Sequence, residues 1–126
     1  MRLLVLSFLF ATTTTFAGSA PSGQATAPRV IEVTAERFEF WPSEVTVTEG
    51  EVIELRVRSQ DTNHGFRLVG SSTNLIVPKR GKGFVTATLS GLQPGRYTFE
   101  CSRMCRAGHH FMRGSLIVRA AAGAPR

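Results

Sequence analysis

The feature that most limits the fold of this chain is a series of short segments in which apolar and polar residues alternate between turns rich in Gly and Pro. The clearest runs from Val52 to Arg58, and such alternation is typical of a strand with one buried face. Similar segments occur at residues 30–34, 44–48, 66–69, 75–77, 84–89, 96–100 and 115–118. After residue 20 no segment of helical length has a 3.6-residue apolar period. The sequence therefore predicts an all-β sandwich of seven or eight short antiparallel strands.

The two ends of the chain differ in composition from the predicted strands. Met1 and Arg2 precede the apolar run Leu3 to Ala11, and small residues follow to Ala20, which is the pattern of a secretory signal peptide over residues 1–20. The apolar run is shorter than the roughly 20 residues that span a bilayer. Residues 21–28 have the composition of a linker and residues 120–126 that of a flexible tail, which leaves one domain at 29–119. We expect a periplasmic or secreted protein, with an uncleaved membrane anchor as the alternative.

A cluster of soft metal-binding residues lies near the C-terminal end of the predicted domain. Cys101, Cys105, His109 and Met112 fall within twelve positions, and the chain has no other cysteine. His64, which directly follows the polar loop of residues 59–63, is a further imidazole donor. Thiolate and thioether ligands beside imidazole favour copper over hard cations. The spacing allows one tight loop to surround a metal, so the sequence indicates a copper site.

Other uses of the two cysteines explain fewer of these residues. A disulfide between Cys101 and Cys105 would close a very short loop, would restrict little chain entropy, and would leave His109 without a role. A zinc site formed by two cysteines and two histidines would have no use for the thioether of Met112. A nucleophilic Cys/His enzyme has no acid placed nearby by the sequence, and the haem attachment motif Cys-x-x-Cys-His is absent. No catalytic residue is predicted.

The number of thiolates separates two kinds of copper site. A mononuclear blue-copper site needs two histidines, one cysteine and a weak axial methionine, which leaves Cys101 without a function. If both thiolates bridge two coppers, every donor has a place: each metal takes one imidazole, Met112 binds one metal weakly, and a backbone carbonyl from the loop binds the other. Both alternatives remain open from the residues alone.

The charge distribution suggests what kind of partner the chain binds. Residues 1–61 hold eight acidic and five basic residues, whereas residues 62–126 hold one acidic and ten basic residues. Arg103, Arg106 and Arg113 lie within or beside the Cys/His/Met cluster. An acidic docking surface on a redox partner would be attracted to this basic half, although a generic solubilising surface would have the same composition. No nucleic-acid partner is predicted.

At these residues the sequence resembles the cupredoxin-like domain that carries the dinuclear copper A centre in cytochrome c oxidase subunit II and at the C-terminal end of nitrous oxide reductase. The matching segments are residues 61–66, 94–101 and 105–114, and the likeness extends over about residues 30–119. The resemblance implies a Greek-key β-sandwich of cupredoxin type that holds two copper ions of the copper A type.

The resemblance also implies six metal-site residues: two bridging thiolates, one imidazole for each copper, an axial thioether and a backbone carbonyl. In that order they are Cys101 and Cys105, His64 and His109, Met112, and Arg103. In the oxidases the last position is typically acidic and also contacts a magnesium site, so Arg103 departs from that pattern. The two-helix anchor of the oxidase subunit has no counterpart in this sequence, which favours a stand-alone exported domain.

The expected function is single-electron transfer between redox partners, without substrate turnover. The alternatives are a periplasmic chaperone or storage protein for Cu(I), which would use the same soft donors, and a mononuclear blue-copper protein. A role as an accessory subunit of a terminal oxidase or nitrous oxide reductase system would keep the electron-transfer function. It would add association with a membrane respiratory enzyme.

Overall fold

The computed structural model describes residues 26–103 and 111–123, which form nine β-strands. The strands are β1 (Arg29–Glu36), β2 (Glu39–Trp41), β3 (Glu44–Thr48), β4 (Ile53–Ser59), β5 (His64–Leu68), β6 (Asn74–Val77), β7 (Phe84–Leu89), β8 (Gly95–Glu100) and β9 (Arg113–Arg119). Each strand predicted from the sequence is present. The short strand β2 was not among them, because three residues are too few to show an alternating pattern.

The strands form two sheets. The first sheet has the order β2-β1-β4-β7, and the second has the order β3-β9-β8-β5-β6. The predicted all-β sandwich is confirmed. Its pairing differs from a purely antiparallel arrangement, because β1 pairs in parallel with β4 and β3 pairs in parallel with β9. Parallel neighbours require a connection that crosses from one sheet to the other, and this feature leaves no local mark in the sequence.

The apolar residues of the alternating strands meet between the two sheets. In β4, Ile53, Leu55 and Val57 are buried, whereas the residues between them face outward. Burial of one such side chain stabilises the fold by about 1.5–3 kcal/mol. Within the described residues, no helix is long and apolar enough to cross a membrane.

Three phenylalanine rings join the sheets near one end of the sandwich. Phe66 and Phe99, on β5 and β8, stack with ring centroids 5.2 Å apart. Phe40, on β2 of the other sheet, meets both rings edge to face at 5.6 and 5.4 Å. Such pairs contribute about 0.5–1.5 kcal/mol each beyond area burial. Phe66 is two residues after His64 and Phe99 is two residues before Cys101, so these rings support the strands that carry both residues.

Candidate metal centre

His64 is the first residue of β5, and its side chain is fully buried. The sequence placed it directly after the polar loop of residues 59–63, and the structure holds it in the second sheet, where Val77 of β6 is its partner. Its Nε2 lies 2.6 Å from Oδ1 of Asp61. Its Nδ1 is buried and has no hydrogen-bond partner among the described residues. A buried polar atom normally has a partner, so this nitrogen is a candidate ligand atom.

Asp61 determines which nitrogen of His64 carries the proton. Burial alone would raise the pKa of Asp61, but hydrogen bonds from the His64 side chain and from the backbone N–H groups of Thr62 and Arg37 outweigh it, so the pKa lies below its ordinary value. Asp61 is therefore ionised at neutral pH and can only accept hydrogen bonds. Nε2 of His64 must donate, which leaves the lone pair of a neutral ring on Nδ1.

The loop after β4 holds Asp61 in place. The backbone N–H of Asp61 donates to Oγ of Ser59 at 3.1 Å, and the Ser59 hydroxyl donates to the carbonyl of Thr62 at 2.6 Å. Oδ2 of Asp61 accepts a hydrogen bond from the backbone N–H of Arg37 at 3.1 Å. Because Arg37 belongs to the turn between β1 and β2, the first sheet positions a carboxylate that orients a histidine of the second sheet.

Cys101 follows the last residue of β8 and is buried. Its Sγ accepts a hydrogen bond from the backbone N–H of Gly65 at 3.5 Å and lies 3.1 Å from the carbonyl oxygen of Arg103. The thiol, the residue after His64 and the carbonyl predicted to bind metal therefore meet at one place.

Gly65 allows this close approach because it has no side chain. A Cβ at this position would collide with the hydroxyl of Ser102 and would lie 2.8 Å from the backbone nitrogens of Ser102 and Arg103. Residues 101–103 therefore lie directly against the start of β5. Any larger residue at position 65 would push Cys101 and the Arg103 carbonyl away from His64.

Met112 precedes β9 and is fully buried. Its carbonyl oxygen accepts the backbone N–H of Cys101 at 3.0 Å, which extends the pairing of β8 with β9. This bond brings together the two ends of the predicted metal loop. Within the described residues, Met112 and Cys101 supply the two sulfur donors at the same end of the sandwich as His64.

The structure thus brings together four of the six predicted site residues: His64, Cys101, Arg103 and Met112. The other two, Cys105 and His109, lie outside the described residues. Among the residues that are described, no three side chains of His, Cys, Asp or Glu come together as a metal site. An imidazole nitrogen, a thiol sulfur, a thioether sulfur and a carbonyl oxygen form a donor set that fits copper.

Sequence reasoning assigned no function to Asp61 or Gly65, although both lie in the segment that carried the resemblance. The signal available for Asp61 was its position three residues before a histidine. The signal for Gly65 was a glycine inside a strand, which often marks a close approach of another backbone.

Ion pairs reduce the positive charge next to the site. Glu100, the last residue of β8, binds the guanidinium groups of both Arg67 and Arg113, the latter at 3.3 Å. Arg113, which the sequence offered as a docking residue, is therefore partly neutralised. Arg106 lies outside the described residues.

A family model described as "Cupredoxin-like domain" matches residues 3–118. The chain is 30% identical over 89 residues to cytochrome c oxidase subunit 2 of Thermus thermophilus, a match that covers 71% of this chain and 64% of the relative. A second cytochrome c oxidase subunit 2, from a named strain of the same species, has the same identity over 52% of its length. This chain therefore spans only about half to two thirds of the length of these relatives.

Solved structures share the fold. A heme-copper terminal oxidase dimer matches with 24% identity and a TM-score of 0.61, over 86% of this chain and 78% of the other. The periplasmic domain of subunit II of cytochrome oxidase from Bradyrhizobium japonicum matches with 17% identity and a TM-score of 0.66, over 73% and 84%. Auracyanin A, a "blue" copper protein from Chloroflexus aurantiacus, matches with 19% identity and a TM-score of 0.59, over 73% and 99%. The predicted resemblance to oxidase subunit II is confirmed, and the chain belongs to the family of cupredoxin-like domains.

Proposed function

We propose that this chain is an exported electron-transfer domain whose residues hold a dinuclear copper centre of the copper A type. The observation that carries this proposal is the Nδ1 atom of His64. It is buried, has no hydrogen-bond partner among the described residues, and keeps its lone pair because Asp61 occupies the other ring nitrogen. A ring held in this way is prepared to bind a metal.

Six residues would hold the two copper ions. The described ones would contribute Nδ1 of His64, Sγ of Cys101, the thioether of Met112 and the carbonyl oxygen of Arg103, and the remaining ligands would be Cys105 and His109. Bound copper would supply a centre that accepts and returns one electron at a time. Within the family resemblance, Cys101 and Cys105 are the bridging residues.

The surrounding residues favour fast electron exchange by holding the ligands still. His64 and Cys101 are fixed by strands that pair through Leu68 and Phe99, and the Cys101 backbone is bonded to Met112. These side chains are buried, and the Gly65 N–H donates a hydrogen bond to Sγ of Cys101. Outer contacts of this kind tune metal affinity and potential.

The export and partner assignments are part of the same proposal. Residues 1–20 would direct secretion, 21–28 would link, 29–119 would form the copper domain, and 120–126 would be a tail. The likeness to cytochrome c oxidase subunit 2 supports a periplasmic location and association with a membrane respiratory enzyme. The basic half of the chain supports a redox partner with an acidic docking surface.

Electron paramagnetic resonance of the copper-loaded domain tests the centre. Hyperfine splitting from two equivalent coppers is expected, together with two coppers per chain by metal analysis. Cys101→Ala should reduce this to one copper with a single-copper spectrum, whereas Ser102→Ala, a neighbouring change outside the ligand set, should leave the spectrum unchanged. A single-copper spectrum of the unaltered domain would establish the blue-copper alternative instead. Binding of Cu(I) alone, with rapid release to a chelator, would indicate a chaperone or storage protein.

A further inference from the structure

The turn between β6 and β7 carries a group of exposed cations. Lys79, Arg80 and Lys82 lie on this turn, and Arg58 lies near the end of β4. Over residues 26–103 and 111–123, none of them forms an ion pair with a carboxylate. Arg96 and Arg113, by contrast, pair with Glu44 and Glu100. Within the described residues, the turn therefore carries three cations without a carboxylate partner, and Arg103 beside the metal site is a further exposed one.

Arg58 and Arg80 line a cleft of about 270 Å³, together with Gly81, Gly83, Phe84 and others. We call these residues the cationic cleft. Arg58 and Phe84 are partners across β4 and β7, so they share the outer face of the first sheet. The Phe84 side chain is 56% exposed. An exposed aromatic ring among such cations is characteristic of an interaction surface, where aromatic and Arg residues are enriched.

Two hydrogen bonds from backbone N–H groups join the turn between β6 and β7 to the loop after β4, residues 60–63. The N–H of Arg80 donates to the carbonyl of Asp61 at 3.1 Å. The N–H of Lys79 donates to Oδ1 of Asn63, the residue before His64, at 2.7 Å. A protein seated on the cleft would therefore lie against the loop whose Asp61 holds the ring of His64.

We propose that the cationic cleft is the docking surface for an acidic redox protein, whose carboxylates bind Arg58, Arg80 and the neighbouring lysines. This places the partner beside Asp61 and His64, away from Arg113, whose charge is shared with Glu100. The identity of the partner as a redox protein rests on the proposed function, but the docking itself does not. Copper held by His64, Cys101 and Met112 would supply a one-electron acceptor beside this surface, with the partner as the one-electron reductant, and no bond would form or break.

The shape of the surface favours a folded acidic protein over a nucleic acid. Nucleic acids need cations that follow a backbone over many phosphates, together with bases stacked on aromatic rings. Here Arg58 and Arg80 line one small cleft, and two lysines flank Arg80 on the same turn. The ring of Phe84 is already covered on one side by the guanidinium of Arg56, 5.4 Å from its centroid. A compact group of carboxylates matches this arrangement.

The test is a titration of the ¹⁵N-labelled domain with the soluble domain of cytochrome b5, an acidic haem protein, followed by amide chemical shifts. It is performed on both the metal-free and the copper-loaded domain, at low and at moderate salt. We expect the shifted amides to lie at residues 58–63 and 79–84, with binding that weakens as salt screens the charges. Basic cytochrome c should produce no such shifts.

Charge reversal locates the surface. Arg80→Glu should weaken binding about five- to tenfold, and Lys82→Glu serves the same purpose if the first variant does not fold. Arg119→Glu changes the net charge equally at the far end of β9 and should weaken binding less than about twofold. The proposal would be overturned if Arg80→Glu and Arg119→Glu weakened binding equally, or if the shifted amides centred on Arg96 and Arg113. Tighter binding of a single-stranded DNA oligonucleotide than of cytochrome b5 would also overturn it. If docking persists while the loaded protein contains one copper, the proposed function fails and the docking surface stands.

Discussion

Replacement of Asp61 by Asn tests whether this carboxylate prepares His64 for metal binding. Asn has nearly the same size, and its oxygen can still accept the proton of Nε2, which lies 2.6 Å from the present acceptor. The negative charge is lost, and the new amide NH₂ faces the backbone N–H of Arg37, which now donates to the second oxygen at 3.1 Å. Two donors then face each other where a donor and an acceptor met.

The magnitude follows from the contacts that are lost. Hydrogen bonds to a charged group contribute about 1.5–3 kcal/mol to stability, so we expect Asp61→Asn to lower the free energy of unfolding of the metal-free domain by about that amount. Loss of an outer contact to a metal-binding histidine typically lowers metal affinity about 10- to 100-fold, equivalent to about 1.4–2.8 kcal/mol.

Urea unfolding of the metal-free domain and competition for copper with a chelator measure the two effects separately. Glu54→Gln is the matched control, since Glu54 pairs with Arg56 at 2.6 Å on the outward face of β4. Such an exposed pair contributes at most about 1 kcal/mol, and its loss should leave copper affinity unchanged. If Asp61→Asn binds copper as tightly as the unaltered chain, Asp61 does not orient His64. If Asp61→Asn also lowers the free energy of unfolding no more than Glu54→Gln does, the hydrogen bonds to Asp61 contribute less to stability than expected.

Three further substitutions examine the site and its support. Gly65→Ala should destabilise the fold by about 1–3 kcal/mol and weaken copper binding, because its Cβ meets the backbone of Ser102 at 2.8 Å; unchanged urea unfolding would contradict the close approach. Met112→Leu keeps the buried volume and should cost less than about 1.5 kcal/mol in the metal-free domain, yet alter the reduction potential measured by voltammetry; an unchanged potential would remove Met112 from the ligand set. Phe66→Ala should cost about 3–5 kcal/mol in thermal unfolding, since Phe66 is fully buried and stacked on Phe99; a loss under about 1 kcal/mol would show that the rings do not support the sheet.

Local sequence pattern predicted most strands, because alternation reflects burial of one face. It worked best for β4, where Ile53, Leu55 and Val57 all point into the core. It could not predict β2, which has only three residues, or the parallel pairing of β1 with β4. Pairing depends on which segments meet after the chain has folded, and a strand with a parallel neighbour can have the same alternation as one with an antiparallel neighbour.

The metal-site residues were predicted from their donor types and stay a prediction. The structure buries His64 and Cys101, whereas the contribution of Asp61 did not emerge from the sequence. An aspartate in a polar loop after a strand has the sequence appearance of an ordinary solvated turn. Its contacts with Arg37 and His64 distinguish it, and Arg37 comes from a turn of the other sheet.

The three phenylalanine rings beneath the site have a consequence for how the protein loses its metal. Phe66 and Phe99, next to His64 and Cys101 on their strands, stack on each other. Phe40 packs edge to face against both rings from the opposite sheet. The two sides of the site cannot separate without breaking this stack and opening the core. We therefore expect the visible absorbance of the copper-loaded domain to disappear in the same cooperative step as the circular dichroism of its β-sheets. Absorbance alone would then report the fraction of folded protein during unfolding.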